Sequence, residues 1–263
     1  MLECVVNISE GRDRDLVAEI ASSAGVDLLD THVDPHHNRS VLTLVGESAP
    51  RAVARAAFAR LDLGRHNGVH PRIGVVDVVP FVPLAGSTMA DAVRARDRFG
   101  AWAADDHGVP SFRYGTERTL PEVRRRAFVD LLPDTGPEAP HPTAGAIAVG
   151  AREVLVAYNV VLVDADLALA RSIAREVRSE HVRALGLPVG DAVQVSMNLV
   201  APEVVGPAAV TDAVAAHTPV AACELVGLLP DAVLRGVPED RWAELDLAAD
   251  RTIEARLAAR QAP

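Results

Sequence analysis

Residues 153–163 read Glu-Val-Leu-Val-Ala-Tyr-Asn-Val-Val-Leu-Val. A short run this apolar and β-branched reads as a buried strand. Immediately upstream, residues 133–145, PDTGPEAPHPTAG, hold four prolines and two glycines and form the clearest break in the chain, a structured loop or domain connection. The strand therefore opens a second pattern. Downstream of it, 164–182 reads as a helix opened by Asp164, 192–200 as a strand, 207–217 as a helix and 220–229 as a strand. The tail, 238–260, reads as one amphipathic, charged helix. Upstream of the break the same alternation appears. Residues 2–8, LECVVNI, read as a strand, and 12–23 as a helix with Leu16, Ile20 and Ala21 on one face. Residues 26–32 and 40–46 read as strands, 48–61 as a helix with Ser48 as its cap and Pro50 in its first turn. Residues 73–82 read as a strand interrupted by Asp77 and Pro80, and 88–104 as a helix with Thr88 and Asp91 at capping-box spacing. Each half runs β-α-β-β-α-β, which predicts an α+β protein of two α/β sandwiches, each a sheet covered by helices on one face.

Composition narrows the function classes. At 263 residues, two modest domains are the natural division. Nearly half the residues are apolar and aromatics are 3%, so the cores are layers of Ala, Val and Leu. The formal net charge is −10, and no basic stripe runs through the sequence, which argues against a nucleic-acid partner. An anionic small molecule would need local arginines acting against that field. Lysine is absent, so Schiff-base, pyridoxal-phosphate and P-loop lysine chemistry are excluded. Cys4 and Cys223 make neither a disulfide framework nor a zinc cluster. No signal peptide or membrane-length apolar run is present, and a reducing, cytoplasmic compartment is expected.

Two polar clusters stand out. Residues 65–74, RHNGVHPRIG, put His66, His70, Arg72 and Asn67 on a Gly-bounded loop before a buried strand, where sites are commonly built. Imidazole suits proton transfer near neutral pH, and guanidinium suits carboxylates. The plainer reading is a solvated loop with a capping His. Residues 30–39, DTHVDPHHNR, hold His32, His36, His37, Asp30 and Asp34. That set could hold a transition metal or serve as a substrate loop with Arg39 on a carboxylate; no helix-phased metal spacing such as HExxH favours the metal. A weaker echo places Asn7, Asn159 and Asn198 each inside an apolar strand, either as structural amides or facing a shared cleft.

Several blocks resemble the glutamate formimidoyltransferase (formiminotransferase) family in order along nearly the whole chain. Residues 3–11, ECVVNISEG, resemble its ECVPNFSEG opening, and His37 to Val41 resemble its NR[ST]V segment. Gly68 to Phe81, GVHPRIGVVDVVPF, resembles GEHPRMGALDVCPF. Gly136 to Ala146 with Gly150-Ala151-Arg152 resembles the folate-contacting GPSSFVPSWGA…GAR. VQVSMNL at 193–199 and ELVGL at 224–228 match blocks of its second half. The resemblance implies two ferredoxin-like subdomains, 1–151 and 152–263, around a substrate cleft, and a homodimer. It implies transfer of the formimidoyl group of N-formimidoyl-L-glutamate to N5 of tetrahydrofolate as co-substrate, without a metal. His70 is then the acid–base residue. Asn7, Asp34, Asn38, Arg39, His66, Arg72 and Asp77 fall at substrate-binding positions. Gly136, Pro137, Thr143, Ala144 and Gly145 fall in the folate loop. The sequence departs from the family at Val69, where Glu is usual, and at Pro140, His141 and Ala144, where Phe, Val and Trp are. The glycine-rich loop before Ala184-Leu185-Gly186 is missing, and the chain ends without the cyclodeaminase domain of bifunctional relatives. The departures leave two other readings: a different amine donor such as formimidoylglycine, or a non-catalytic pterin- or folate-binding or assembly protein on the same scaffold.

Overall fold

A computed structural model describes residues 1–68 and 70–260. The chain divides into two compact units, Met1–Glu153 and Val154–Pro263, each with its own sheet and core.

The first unit runs β1 (Leu2–Ile8), α1 (Arg14–Ser22), β2 (Leu28–Asp34), β3 (Arg39–Val45), α2 (Ser48–Arg60), β4 (Val76–Pro83), α3 (Met89–His107), β5 (Ser111–Tyr114), α4 (Leu120–Arg126) and β6 (Ile147–Ala151). Its six strands lie in the order β2-β3-β1-β4-β6-β5. The four strands on the β2 side are antiparallel and make the β-α-β-β-α-β sandwich expected from the sequence. Two more strands, β6 and β5, extend it in parallel with β4. Parallel neighbours need a crossover, which α3 and α4 supply. Alternation along the strands splits the unit into two apolar layers. Cys4, Val6, Leu42, Val79, Phe81 and Val149 pack under the first three helices. Val78, Phe112, Tyr114, Ala146 and Ala148 pack on the opposite face, beneath Val123 of α4. Helices therefore do not keep to one face at this end of the sheet, because β5 and β6 expose a second apolar side that α4 covers.

Local signals account for most boundaries. Thr88 caps α3 through a capping box with Asp91, and Thr119 does the same for α4 with Glu122. The helix α2 begins at Ser48 itself, after Glu47, and has no side-chain cap, contrary to the role expected of Ser48. The Pro/Gly-rich stretch 133–145 leads from α4 into β6, inside the first unit.

The second unit runs β7 (Val156–Leu162), α5 (Leu167–Glu176), β8 (Val182–Val189), β9 (Ala192–Leu199), α6 (Pro207–Ala215) and β10 (Val220–Val226), then α7 (Asp231–Arg235) and α8 (Ile253–Arg260). Its antiparallel strand order, β10-β7-β9-β8, is the ferredoxin-like arrangement. Two expectations need correction. Asp164 sits at φ 45°, outside the helix; Asp166 is the cap, its carboxylate accepting from Leu169 N at 2.8 Å. The helix ends at Glu176, and after the loop 177–181 the chain forms β8 from Val182, which pairs along its whole length with β9. The tail is also not one helix. Leu245 and Leu247 drop individually into the second core, Asp246 turns at φ 55°, and Tyr158 donates its hydroxyl to Leu245 O at 2.7 Å. Only Ile253–Arg260 is α-helical there, beside two single 3-10 turns at Glu239–Arg241 and Ala249–Arg251. Among the described residues no helix is long and apolar enough to cross a membrane.

Candidate active site

The ends of β1, β3 and β4 meet at a register irregularity of β1 between Asn7 and Ile8. Bulged strand ends of this kind re-aim side chains toward sites. Asp77 of β4 is fully buried. Its Oδ2 accepts from Arg39 Nη1 at 2.7 Å and from Arg124 Nη2 at 2.7 Å, and its Oδ1 from Ile73 N at 2.8 Å. Burial alone would raise this carboxyl, but the two guanidiniums and the amide hold it below the usual range. Arg39 spends its remaining edge on Asn7, donating Nε and Nη2 to Asn7 Oδ1 at 3.1 and 2.9 Å. Three of the residues expected to bind substrate, Asn7, Arg39 and Asp77, are thus first of all partners of one another. Nε of Arg124 is buried without a hydrogen-bond partner among the described residues.

The hairpin turn between β2 and β3 is stitched to the 65–74 loop. Asn38, buried at φ 51°, accepts from Gly11 N at 2.9 Å through Oδ1 and donates Nδ2 to Asn67 O at 3.2 Å. His66 donates Nε2 to Asn38 O at 2.8 Å, and burial pushes its pKa down. Arg72 turns back on its own loop, donating to Gly68 O at 2.8 Å, His70 O at 3.0 Å and His66 O at 3.3 Å. It braces the segment that carries His70. Both oxygens of Asp34 face His37, one accepting from its backbone N at 2.9 Å and the other paired with Nδ1.

His70 lies at the rim of an open hollow of about 430 Å³, lined also by Leu63, Gly68, Pro71 and Arg72. Its Nδ1 is 2.7 Å from Pro71 O. A carbonyl only accepts, so Nδ1 carries the hydrogen and Nε2 keeps its lone pair. Burial first, then the positive charges of Arg39 and Arg124, push the His70 pKa down to about 3. The ring is neutral near pH 7 and basic at Nε2 only.

The folate-loop residues divide. His141 and Gly145 exchange backbone hydrogen bonds at 2.8 and 2.9 Å, and His141 Nδ1 accepts from Ala144 N at 3.1 Å. This turn docks on the 63–75 segment: Leu63 N donates to Thr143 O at 2.7 Å, Val75 N to Ala144 O at 3.0 Å and Ala146 N to Ile73 O at 2.9 Å. Thr143, Ala144 and Gly145 are therefore tied to the strand of chain that carries His70. Gly136 packs instead against Pro110 and Ala104, beyond the end of α3, and Pro137 is exposed beside it. Val69 lies outside the described residues. In the second unit, Asn159 donates to Glu224 at 2.8 Å, while Asn198 is exposed. Among the described residues no three His, Cys, Asp or Glu side chains converge as a metal site requires.

Residues 1–152 match the model of the formiminotransferase domain, N-terminal subdomain. The chain belongs to the formiminotransferase family. It is similar to the glutamate formimidoyltransferase of Streptococcus pyogenes serotype M1, with 37% identity over 233 residues, 76% of this chain and 77% of that one. The glutamate formimidoyltransferase of Thermoplasma acidophilum is 36% identical over 76% of each chain. The formimidoyltransferase-cyclodeaminase of Sus scrofa is 36% identical over 88% of this chain, which spans 50% of that longer relative. With these relatives over most of its length, this formiminotransferase-family chain is an enzyme, a transferase. The geometry adds Arg124, which the sequence had hidden. It stands first in an Arg-Arg-Arg run in a stretch to which the sequence reading assigns no element, and only the placement of α4 brings it to Asp77.

Proposed function

We propose that this formiminotransferase-family enzyme transfers the formimidoyl group of N-formimidoyl-L-glutamate to N5 of tetrahydrofolate, with His70 taking the proton that N5 loses. The observation that carries this reading is the fixed tautomer of His70: Nδ1 is committed to Pro71 O, so Nε2 is a base at the rim of the hollow. As N5 bonds to the amidine carbon it must shed a proton, and a neutral imidazole within hydrogen-bond reach accepts it. Both substrates carry glutamyl carboxylates. Arg39, Arg72 and Arg124 supply a local positive field within a chain whose net charge is −10, and carboxylates bound there neutralise part of what holds the His70 pKa low. Asn7, Asp34, Asn38, His66 and Asp77 keep the two loops and these arginines in place around the donor. Thr143, Ala144 and Gly145 are the folate-side wall, with Gly136 and Pro137 further along the same loop. The proton steps lie within the reach of imidazole, so this reading requires no metal. A cytoplasmic homodimer is the proposed working form. The test is a transfer assay with tetrahydrofolate and either formimidoylglutamate or formimidoylglycine, alongside folate binding by calorimetry. Formation of 5-formimidoyltetrahydrofolate from the glutamate donor is expected. Folate binding without transfer from either donor would point to a binding protein and defeat the proposal.

A further inference from the structure

Resting on that reading, we propose that Arg124 is a specificity-determining residue of this site, and that its guanidinium receives a carboxylate of the amino-acid donor. The three arginines of the site are not equivalent. Arg39 is fully engaged within the protein: Nη1 donates to Asp77 at 2.7 Å, and Nε and Nη2 both donate to Asn7 Oδ1. Arg72 is engaged with the carbonyls of Gly68, His70 and His66 on its own loop. Arg124 donates Nη2 to Asp77 Oδ2 at 2.7 Å, while its Nε is buried with no acceptor among the described residues. Buried polar groups nearly always find a partner, so each orphan asks for one. Nε of Arg51 and of Arg256 is orphaned too, so the orphan by itself decides nothing. Charge and place set Arg124 apart.

Asp77 is one carboxylate between two guanidiniums, which leaves a positive charge uncompensated within the cluster. In a chain of net charge −10 that local surplus suits an anionic ligand. Arg124 is also the reachable member of its pair. The Asp77 side chain has no exposure, whereas that of Arg124 has 21%. Two links hold it beside the His70 segment. Asp77, which it bonds, accepts from Ile73 N at 2.8 Å, and Ile73 follows Arg72 in the wall of the hollow. Its helix, α4, places Val123 in the apolar layer against which Ile73 also packs. The charge of Arg124 is accordingly felt at His70.

This position selects the donor over the folate. In tetrahydrofolate the glutamyl tail is separated from N5 by the aminobenzoyl ring, so N5 and the tail carboxylates cannot both lie beside His70. In formimidoylglutamate the α-carboxylate sits on the carbon that bears the leaving nitrogen, and the side-chain carboxylate follows on a short methylene arm. A guanidinium that takes either one also orients the amidine carbon. The same contact assists the base. A carboxylate on Arg124 cancels one of the positive charges that oppose protonation of His70, so the ring becomes a better acceptor once the donor is bound.

The experiment compares Arg124→Lys, Arg124→Gln and the unaltered enzyme on three donors at saturating tetrahydrofolate. They are N-formimidoyl-L-glutamate, N-formimidoylglycine, which keeps only the α-carboxylate, and N-propylformamidine, which has none. Arg124→Gln is expected to raise KM for formimidoylglutamate roughly 10–100-fold, the loss of one charge-assisted contact, with KM for tetrahydrofolate little changed. Arg124→Lys keeps the charge beside Asp77 but not the planar fork, so it should fold normally and fall in between. Neither variant should be worse than the unaltered enzyme on N-propylformamidine. A penalty shared by the glutamate and glycine donors places the α-carboxylate on Arg124; one confined to the glutamate donor places the side-chain carboxylate there. Calorimetry with non-reacting N-acetyl-L-glutamate makes the comparison without turnover, and Arg124→Lys should bind it more weakly. A donor KM within threefold in both variants, an equal penalty on the carboxylate-free donor, or a raised KM for tetrahydrofolate alone would each overturn the proposal while leaving the transferase reading intact. No transfer by the unaltered enzyme from any donor would overturn that reading instead. The calorimetry then decides the role of Arg124, which equal affinities of the unaltered enzyme and Arg124→Lys would refute.

Discussion

At the scale of single residues, two histidines four positions apart have opposite fates. His66 spends Nε2 on the carbonyl of Asn38, and its Nδ1 is buried without a partner among the described residues. His70 ties down Nδ1 and leaves Nε2 at the hollow. His70→Ala should therefore lower kcat by roughly 10²–10⁴-fold while the melting temperature holds. His66→Ala should cost stability, about 1 kcal/mol for the lost hydrogen bond, and much less turnover. Greater damage to kcat at His66 than at His70 would reverse the assignment. Arg39 is a different case. Its guanidinium is engaged with Asp77 and Asn7, so Arg39→Ala removes a partner of a fully buried carboxylate. Breaking such a pair costs roughly 3–5 kcal/mol. The expected outcome is a large loss in denaturant midpoint together with weaker substrate binding. A variant with native stability and only a raised KM would instead make Arg39 a simple carboxylate clamp.

At the scale of elements, the site depends on a close backbone contact. Gly74 and Gly145 form an antiparallel bridge between the His70 segment and the 141–146 turn. A Cβ on Gly74 would fall 2.1 Å from Ala146 O, and Gly145 is held at φ 72°. Gly74→Ala must separate the two segments, so kcat should drop along with stability. Thr88→Ala is the control: it removes the α3 cap and about 1 kcal/mol of stability, yet it should leave turnover unchanged. Equal kinetic effects in the two variants would show that the bridge matters only for folding. Elements with strong periodicity or caps were legible in the sequence: β1, α3 with its capping box, and the repeated β-α-β-β-α-β order. β8 was not. VRALGLPV alternates buried and exposed, but Gly186 and Pro188 dilute it, and the charged run before it extends the apparent helix. β5, α4 and β6 were missed because they are short or lie beside the Pro/Gly-rich stretch. In the site, the histidine loops were visible as clusters. The pairing of Arg39 with Asp77 and the arrival of Arg124 were not, since each joins residues 38 to 47 positions apart through sheet register and helix placement.

At the scale of the whole molecule, protonation should separate the two units. His66, His70 and His107, all in the first unit, have pKa values pushed down, in each case mainly by burial. A histidine whose folded pKa lies below its unfolded value of about 6.5 stays neutral in the fold while the unfolded chain takes up a proton. Its contribution to stability is complete above that unfolded value and is lost as pH falls toward the folded one, which for His70 is about 3. Buried Asp77, held below the carboxylate range, adds a loss in the same direction, beginning near pH 4. The first unit should thus weaken from about pH 6.5 downward, before any carboxylate titrates. Between pH 7.5 and 5.5 His70, held neutral in the fold, can cost on the order of 1 kcal/mol, equivalent to roughly 2–4 °C for a unit of this size, and the more exposed His66 and His107 act in the same direction. The two tryptophans give one probe per unit: Trp102 lies in the first core, and Trp242 packs against the second with Nε1 donated to Val237 O at 2.9 Å. In Trp242→Phe, fluorescence reports the first unit alone. Its melting temperature should fall by several degrees between pH 7.5 and 5.5, and His70→Gln should remove part of that fall, because Gln takes up no proton in either state. A Trp102 transition that stays fixed over this range, or one whose pH dependence survives His70→Gln unchanged, would mean that the site histidine is not among the groups coupling proton uptake to unfolding.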